Sequence, residues 1–235
     1  MKNQYFGDAR DYFKYDVLER LATDLADIER LMCLWMLTRP DATGQGKVPF
    51  VADPELPELT AFFRERLESE DASQRRATEM RTYFNDRPFG FFSYRDDRDD
   101  FGSATREEYF ASVPDEALQH AVVFFDPDNG MEPGKATDRH LKFRELKGVV
   151  ERMDETSVAV VFQYWRRVQG FWTAMAEELS DRLGCAVTYI AEPTLAFYVV
   201  AKDSQRRDQV REVLDQIAVR HTPGVSQRRL VSTAG

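Results

Sequence analysis

The sequence has few of the residues that build disulfide or metal sites, since only two cysteines and three histidines occur among its 235 residues. Two cysteines are too few for a disulfide framework or a cysteine-based zinc site. We expect Cys33 and Cys185, each set among apolar neighbours, to be reduced core thiols. The histidines lie far apart and lack the spacing of a zinc motif. The disulfide-rich and zinc-finger classes are therefore excluded, and we predict no zinc ligands.

Long apolar runs and an excess of positive charge are also absent. No apolar run approaches the roughly 18 residues that a membrane-spanning helix requires, and the N-terminus lacks the apolar segment of a signal peptide. The 32 basic residues are outnumbered by 41 acidic ones, giving a net charge of −9. A protein that coats nucleic acid non-specifically needs the opposite sign. We expect a cytoplasmic protein without membrane contact. The composition still allows local basic patches on its surface.

What the chain does contain is a series of short apolar runs that alternate with helical patterns. Residues 121–130 have five consecutive apolar residues followed by turn formers, which is typical of a strand buried on both faces. Similar patterns predict strands at 31–37, 89–97, 157–165, 185–192 and 195–202, and helices at 10–30, 57–84, 105–120, 137–153, 167–184 and 203–221.

This alternation predicts an α/β fold with a mainly parallel sheet and helices on both faces. The link at Pro193 and Thr194 is too short for a parallel crossover, so the last two strands must form an antiparallel hairpin. We predict one domain over residues 1–221, with a helical insertion at about 57–84. Residues 222–235 have little to bury and are expected to fray.

The first candidate site follows the strand at 121–126. Ligands of open α/β sheets bind beyond the carboxyl ends of the strands, where Asp126 is predicted to lie. An acid placed directly after two phenylalanines is costly to bury unless it has a partner. We therefore interpret Asp126 and Asp128 as catalytic candidates and Asn129 as a substrate contact. An ordinary turn is the alternative, because Asp, Pro, Asn and Gly are all turn formers.

The second candidate site lies near the N-terminus. Asp8, Asp11 and Lys14 share one face of a helical turn. A helix cap with an ion pair explains these charges structurally, but it does not explain five aromatic residues among the first 15. We interpret Lys14 as a catalytic candidate that faces phosphate, and Asp8 and Asp11 as candidate cofactor contacts.

Two further segments are weaker candidates. Gly44 and Gly46 follow the first strand and would let a nucleotide-like cofactor approach the backbone, although an ordinary loop is the alternative. Tyr164, Trp165 and Arg166 end another buried strand. An aromatic ring beside a guanidinium suits a stacked base and a phosphate, so we interpret these three as substrate contacts. A packed Trp with solvated arginines is the alternative.

The opening NQYFGDARDYFKYD and the strand end FFDPDNG resemble a group of bacterial proteins that open N-Q-Y-F-G-D. The spacing of Gly7-Asp8-x-x-Asp11-x-x-Lys14 is similar to the G-N-x-x-D-x-x-K start of a bacterial ribosomal RNA adenine methyltransferase family. Asp126-Pro127 is similar to the first half of that family's D-P-P-[YF] motif, with Asp128-Asn129 in place of the Pro-aromatic pair.

A parallel sheet that ends in one antiparallel strand also looks like the class I S-adenosylmethionine (SAM) methyltransferase fold. This resemblance implies that Asp126 accepts a hydrogen bond from an adenine amine. It also implies that SAM lies across the ends of the first strands.

We therefore predict a SAM-dependent, methyltransferase-like enzyme that acts on a nucleic acid or nucleotide. One alternative is a nuclease that holds Mg²⁺ with Asp126, Asp128 and Glu145, or with Asp126 and Asp128 together with Asp8 and Asp11. The other is a non-catalytic protein that keeps the fold and serves as the binding partner of another protein.

Overall fold

The computed structural model describes residues 2–3, 6–39, 52–69, 75–95, 101–102, 104–220 and 230–234. Its strands are β1 (Arg30–Trp35), β2 (Gly90–Ser93), β3 (Ala121–Asp126), β4 (Val158–Tyr164), β5 (Ala186–Ala191), β6 (Leu195–Ala201) and β7 (Leu230–Ala234). Its α-helices are α1 (Ala9–Asp24), α2 (Pro57–Ser69), α3 (Met80–Phe84), α4 (Arg106–Ala111), α5 (Phe143–Arg152), α6 (Phe171–Leu183) and α7 (Ser204–Val219).

The strands form one mixed sheet in the order β2-β1-β3-β4-β6-β5-β7. β2, β1, β3 and β4 pair in parallel, whereas β6 pairs antiparallel with both β4 and β5. The short link at residues 192–194 makes β5 and β6 a hairpin. The expected α/β sheet, parallel at first and antiparallel in its C-terminal hairpin, is confirmed.

Apolar cores lie on both faces of the sheet, as expected. One face is covered by α1, α2, α3 and α7, which contribute Leu18, Phe63 and Leu214 to its core. The other face is covered by α4, α5 and α6, with Leu146 and Leu179 among the buried side chains. Every residue of β3 is buried because both faces are covered, which explains the unbroken apolar run in its sequence.

The helices are shorter than the sequence pattern predicts. The helix expected at 137–153 begins at Phe143, because residues 131–142 form a loop that contains Pro133 and Gly134. The α5 helix starts with a capping box in which the Glu145 carboxylate accepts a hydrogen bond from the Lys142 backbone N–H at 3.0 Å. The expected helix at 10–30 ends at Asp24. The helix expected at 105–120 is divided into α4 and a short 3₁₀ turn that follows Pro114.

The expectation of a frayed tail is wrong for residues 230–234. They form β7, which pairs antiparallel with the outer edge of β5. An edge strand offers unpaired backbone groups, and the segment LVSTA contains β-branched residues that suit such pairing. The stretch 57–84, expected as an insertion, supplies Phe63 and Phe84 to the core beside β1.

None of the helices in the described part of the chain combines the length and the apolar character needed to span a bilayer.

Candidate functional site

The strand order places a topological switch point between β1 and β3. The chain leaves β1 through α2 and α3 on one face to reach β2, then returns through α4 on the other face to reach β3. Crevices at such points, beyond the carboxyl ends of the strands, are where open α/β sheets bind ligands. Asp126 is the last residue of β3 and pairs in register with Trp35, the last residue of β1. Asp126 therefore lies at the switch point.

A buried ion network joins Asp126 to the first helix. The Lys14 Nζ atom donates hydrogen bonds to Asp126 Oδ2 at 2.8 Å and to Asp11 Oδ1 at 2.7 Å. Burial raises the pKa of Asp126, although Lys14 opposes this effect. Burial alone would lower the pKa of Lys14, but the two carboxylates outweigh it, and the pKa is raised. Lys14 is 4% exposed, so it is enclosed by carboxylates rather than turned outward to a phosphate, which corrects that expectation.

Aromatic rings complete the surroundings of Lys14. Its Nζ atom lies 5.7 Å from the ring centre of Phe124, 5.5 Å from that of Phe162 and 5.8 Å from that of Tyr15. These distances are within the range of cation–π attraction. Tyr12 and Tyr15 also pack against Phe63. Tyr12 and Tyr15 thus belong to the core, and Tyr15 also contacts the lysine that α1 carries into it.

The start of α1 holds two acids close together. Asp8 caps the helix, since its Oδ1 atom accepts hydrogen bonds from the backbone N–H groups of Arg10 at 2.9 Å and Asp11 at 3.2 Å. Asp11 Oδ2 accepts another from Gly7 N–H at 2.9 Å, with Gly7 at a φ of 104°. Burial, reinforced by the charge of Asp11, raises the pKa of Asp8 to about 6. Two carboxyl groups therefore lie close together at this helix terminus, with Lys14 bound to Asp11 and Arg10 3.9 Å from Asp8.

The loop after β3 is tied to the loop after β1. Asp128 Oδ2 accepts hydrogen bonds from Thr38 Oγ1 at 2.6 Å and from Lys2 Nζ at 3.3 Å. Asn129 is exposed at the tip of the loop, and its backbone N–H donates to the carbonyl oxygen of Arg139 at 3.0 Å. The structure thus places Asp128 and Asn129 at the same edge of the sheet as Asp126.

Gln163, on the neighbouring strand β4, holds the loop after β3 in its shape, a role that the sequence did not predict. Its Oε1 atom accepts a hydrogen bond from Met131 N–H at 2.7 Å, and its Nε2 atom donates to the Tyr164 carbonyl oxygen at 2.6 Å. Gly130 has a φ of 83°, and a Cβ atom there would lie 2.4 Å from Gln163 Oε1. The sequence contains one signal of this role, which is a polar residue placed at the end of the apolar run of β4.

The end of β4 lies beside the start of α1. The guanidinium carbon of Arg10 lies 5.3 Å from the ring centre of Tyr164. Trp165 is 47% exposed, and its backbone N–H donates to the Thr194 carbonyl oxygen at 2.9 Å. Arg166 donates to the Met131 carbonyl oxygen and lies 5.5 Å above the ring of Phe171. Tyr164, Trp165 and Arg166 therefore lie, like Asn129, at the carboxyl edge of the sheet.

Other expected site residues are placed elsewhere or cannot be placed. Gly44 and Gly46 lie outside the described residues. Glu145 lies on α5 and forms a two-point ion pair with Arg106, with N–O distances of 2.5 and 2.8 Å. Within the described ranges, no three or more His, Cys, Asp or Glu side chains are grouped so that they could hold a metal ion.

Comparison of the chain with protein-family models, curated proteins and solved structures found no match.

Proposed function

We propose that this protein is a SAM-dependent, methyltransferase-like enzyme of the cytoplasm that acts on a nucleic acid or nucleotide. The observation that carries the proposal is the position of Asp126 at the switch point between β1 and β3. The antiparallel strand β6, inserted beside β4 at the C-terminal end of the sheet, agrees with the strand arrangement expected of that class.

The acids at the start of α1 suit a cationic cofactor. SAM carries a positive sulfonium and a positive amino group, and it supplies the methyl group when bound. Asp8 and Asp11 are both 5% exposed, and their proximity contributes to the raised pKa of Asp8. Arg10, 3.9 Å from Asp8, and Lys14, 2.7 Å from Asp11, offset part of this repulsion, and a cationic ligand would relieve it further. We assign Asp8 and Asp11 to contacts with the positive part of the cofactor.

Asp126 is assigned to the acceptor amine. Methyl transfer requires an amine held in line with the methyl donor more than it requires proton transfer, so a fixed hydrogen-bond acceptor contributes through orientation. The ion pair with Lys14 at 2.8 Å holds the Asp126 carboxylate in place. Lys14 is then a positioning residue and not a group that contacts substrate.

A second candidate function is that of a non-catalytic binding partner, and the ion pair between Lys14 and Asp126 also favours this function. The contact with Lys14 accounts for the burial of Asp126 without any ligand. In this interpretation Asp126 anchors α1 to the sheet, and the edge of the sheet binds another molecule without chemistry.

Titration calorimetry with SAM separates the two candidates. The enzyme proposal predicts saturable binding of SAM and of its demethylated product. It also predicts that SAM raises the melting temperature of the full chain. Absence of binding at millimolar SAM would contradict the proposal and favour the non-catalytic partner.

The role of Asp126 is tested with Asp126→Asn and with labelled SAM on RNA and DNA. We expect the variant to bind SAM while the rate of methyl transfer falls about 100-fold, because the amine loses its fixed acceptor. Asp154→Asn is the matched control, since Asp154 accepts backbone hydrogen bonds before β4, at the opposite edge of the sheet. A lower melting temperature with unchanged activity per folded molecule would assign Asp126 to structure alone.

A further inference from the structure

The loop after β4 exposes apolar surface at the edge of the sheet where the candidate site lies. Trp165 is 47% exposed and Val168 is 57% exposed. The loop nevertheless has a defined shape, because Trp165 N–H bonds the Thr194 carbonyl oxygen at 2.9 Å and Gly170 takes a left-handed φ of 67°. A large aromatic ring that a loop of defined shape holds at the surface indicates a binding site, whereas a single exposed leucine does not.

Some of the neighbouring side chains are held by contacts within the protein, and others are exposed to solvent. One face of the Tyr164 ring lies against Arg10 at 5.3 Å, and its ring meets Phe162 edge-on at 4.6 Å. Arg166 is bonded to the Met131 carbonyl oxygen, so it holds the loop. Arg167 and Trp165 are exposed. The loop thus exposes a ring at Trp165 and a guanidinium at Arg167, two residues further along the chain.

We propose that this loop binds an unpaired stretch of nucleic acid, with Trp165 stacking on a base and Arg167 contacting a phosphate. This inference rests on the nucleic-acid part of the proposed function and narrows its substrate class. An exposed ring can stack only on a base whose face is open, and bases within a duplex already stack on one another. The net charge of −9 also disfavours binding along a long duplex through attraction to its phosphates alone.

The inference is tested by fluorescence anisotropy at low salt, with labelled oligothymidylate, labelled oligoadenylate and a labelled duplex of equal length. We expect both single strands to bind at least about tenfold more tightly than the duplex. Trp165→Ala should weaken single-strand binding about 5- to 100-fold, and Trp165→Phe should restore much of it, because phenylalanine keeps a stacking face.

Arg167→Gln should weaken binding of both single strands similarly and reduce the salt dependence by about one phosphate contact. Arg211→Gln is the control for charge, since Arg211 is 53% exposed on α7; we expect it to leave binding unchanged. Circular dichroism of each variant reports on its folding.

Equal binding of duplex and single strand, or unchanged binding by folded Trp165→Ala, would overturn the inference. Absence of nucleic-acid binding by the wild-type chain would do the same and would point to a protein ligand for this loop. Failure of SAM binding is a separate result, which contradicts the methyltransferase proposal and leaves the oligonucleotide measurements to be judged by themselves.

Discussion

At the scale of the residue, Asp8 is an acid whose charge is disfavoured by its surroundings. Its pKa is about 6 in the folded protein, against 3.8 for an ordinary aspartate. Between these values the folded chain holds a proton that the unfolded chain has released, so the free energy of unfolding falls as pH rises through this window. Asp8→Asn should remove that loss and be about 1–3 kcal/mol more stable than wild type at pH 7.

The measurement is urea unfolding of wild type and variant across this pH window. Asparagine also caps helices, so the hydrogen bonds to the backbone of α1 are expected to survive. Asp181→Asn, at an exposed position of α6, is the control and should follow the wild-type curve. If the free energies of unfolding of wild type and Asp8→Asn stay parallel from below pH 4 to pH 7, folding does not raise the pKa of Asp8.

Only part of the site follows from the sequence. The spacing of Asp11 and Lys14 indicates their ion pair, because residues three apart meet on a helix. The partner of Lys14 on β3 lies 112 residues further along the chain, and no local pattern encodes a contact of that separation. For the same reason the hydrogen bond that Met131 N–H donates to Gln163 was not predicted, although a lone polar residue among apolar ones marks Gln163 as unusual.

At the scale of the element, the pair formed by Arg106 and Glu145 joins α4 to α5. Both side chains are largely buried, and Arg106 also donates to the His140 carbonyl oxygen at 2.8 Å. Arg106→Met leaves the Glu145 carboxylate buried without its cation, so we expect a loss of about 3–5 kcal/mol in the free energy of unfolding. Adding Glu145→Gln should recover part of this loss, since glutamine is neutral and still suits the capping box.

Denaturant unfolding of the single and double variants checks this expectation. Arg211→Met is the control, because Arg211 pairs with Asp215 on the exposed surface of α7 and should cost less than about 1 kcal/mol. If Arg106→Met and Arg211→Met prove equally mild, the buried pair does not hold α4 and α5 together.

Elements with one strong local signal were predicted well, and those defined by their neighbours were not. The run of β3 is apolar throughout because both faces of the strand are covered, so its sequence alone indicates a strand. β7 is short and has a mixed composition, and it exists through pairing with β5. Its prediction would have required knowledge of which sheet edge was open.

At the scale of the whole molecule, the two apolar cores share one sheet and should unfold together. Leu21 lies in the core on one face and Leu146 in the core on the other, and both side chains are fully buried. We expect Leu21→Ala and Leu146→Ala each to cost about 2–5 kcal/mol. Because the two leucines lie on opposite faces and belong to separate clusters, the double variant should show the sum of the two losses.

Tryptophan fluorescence and far-ultraviolet circular dichroism, followed through the same urea transition, distinguish a single cooperative unit from two. Trp35 reports on one core, while Trp172 packs against the other. A single domain that includes β7 predicts coincident transitions by both probes in the wild type and in each variant. If Leu21→Ala moved the fluorescence transition to lower urea and left a later circular dichroism transition in place, the two cores would not unfold as one cooperative unit. The strands that contribute side chains to both cores, β3 among them, would then not be enough to couple the two faces of the sheet.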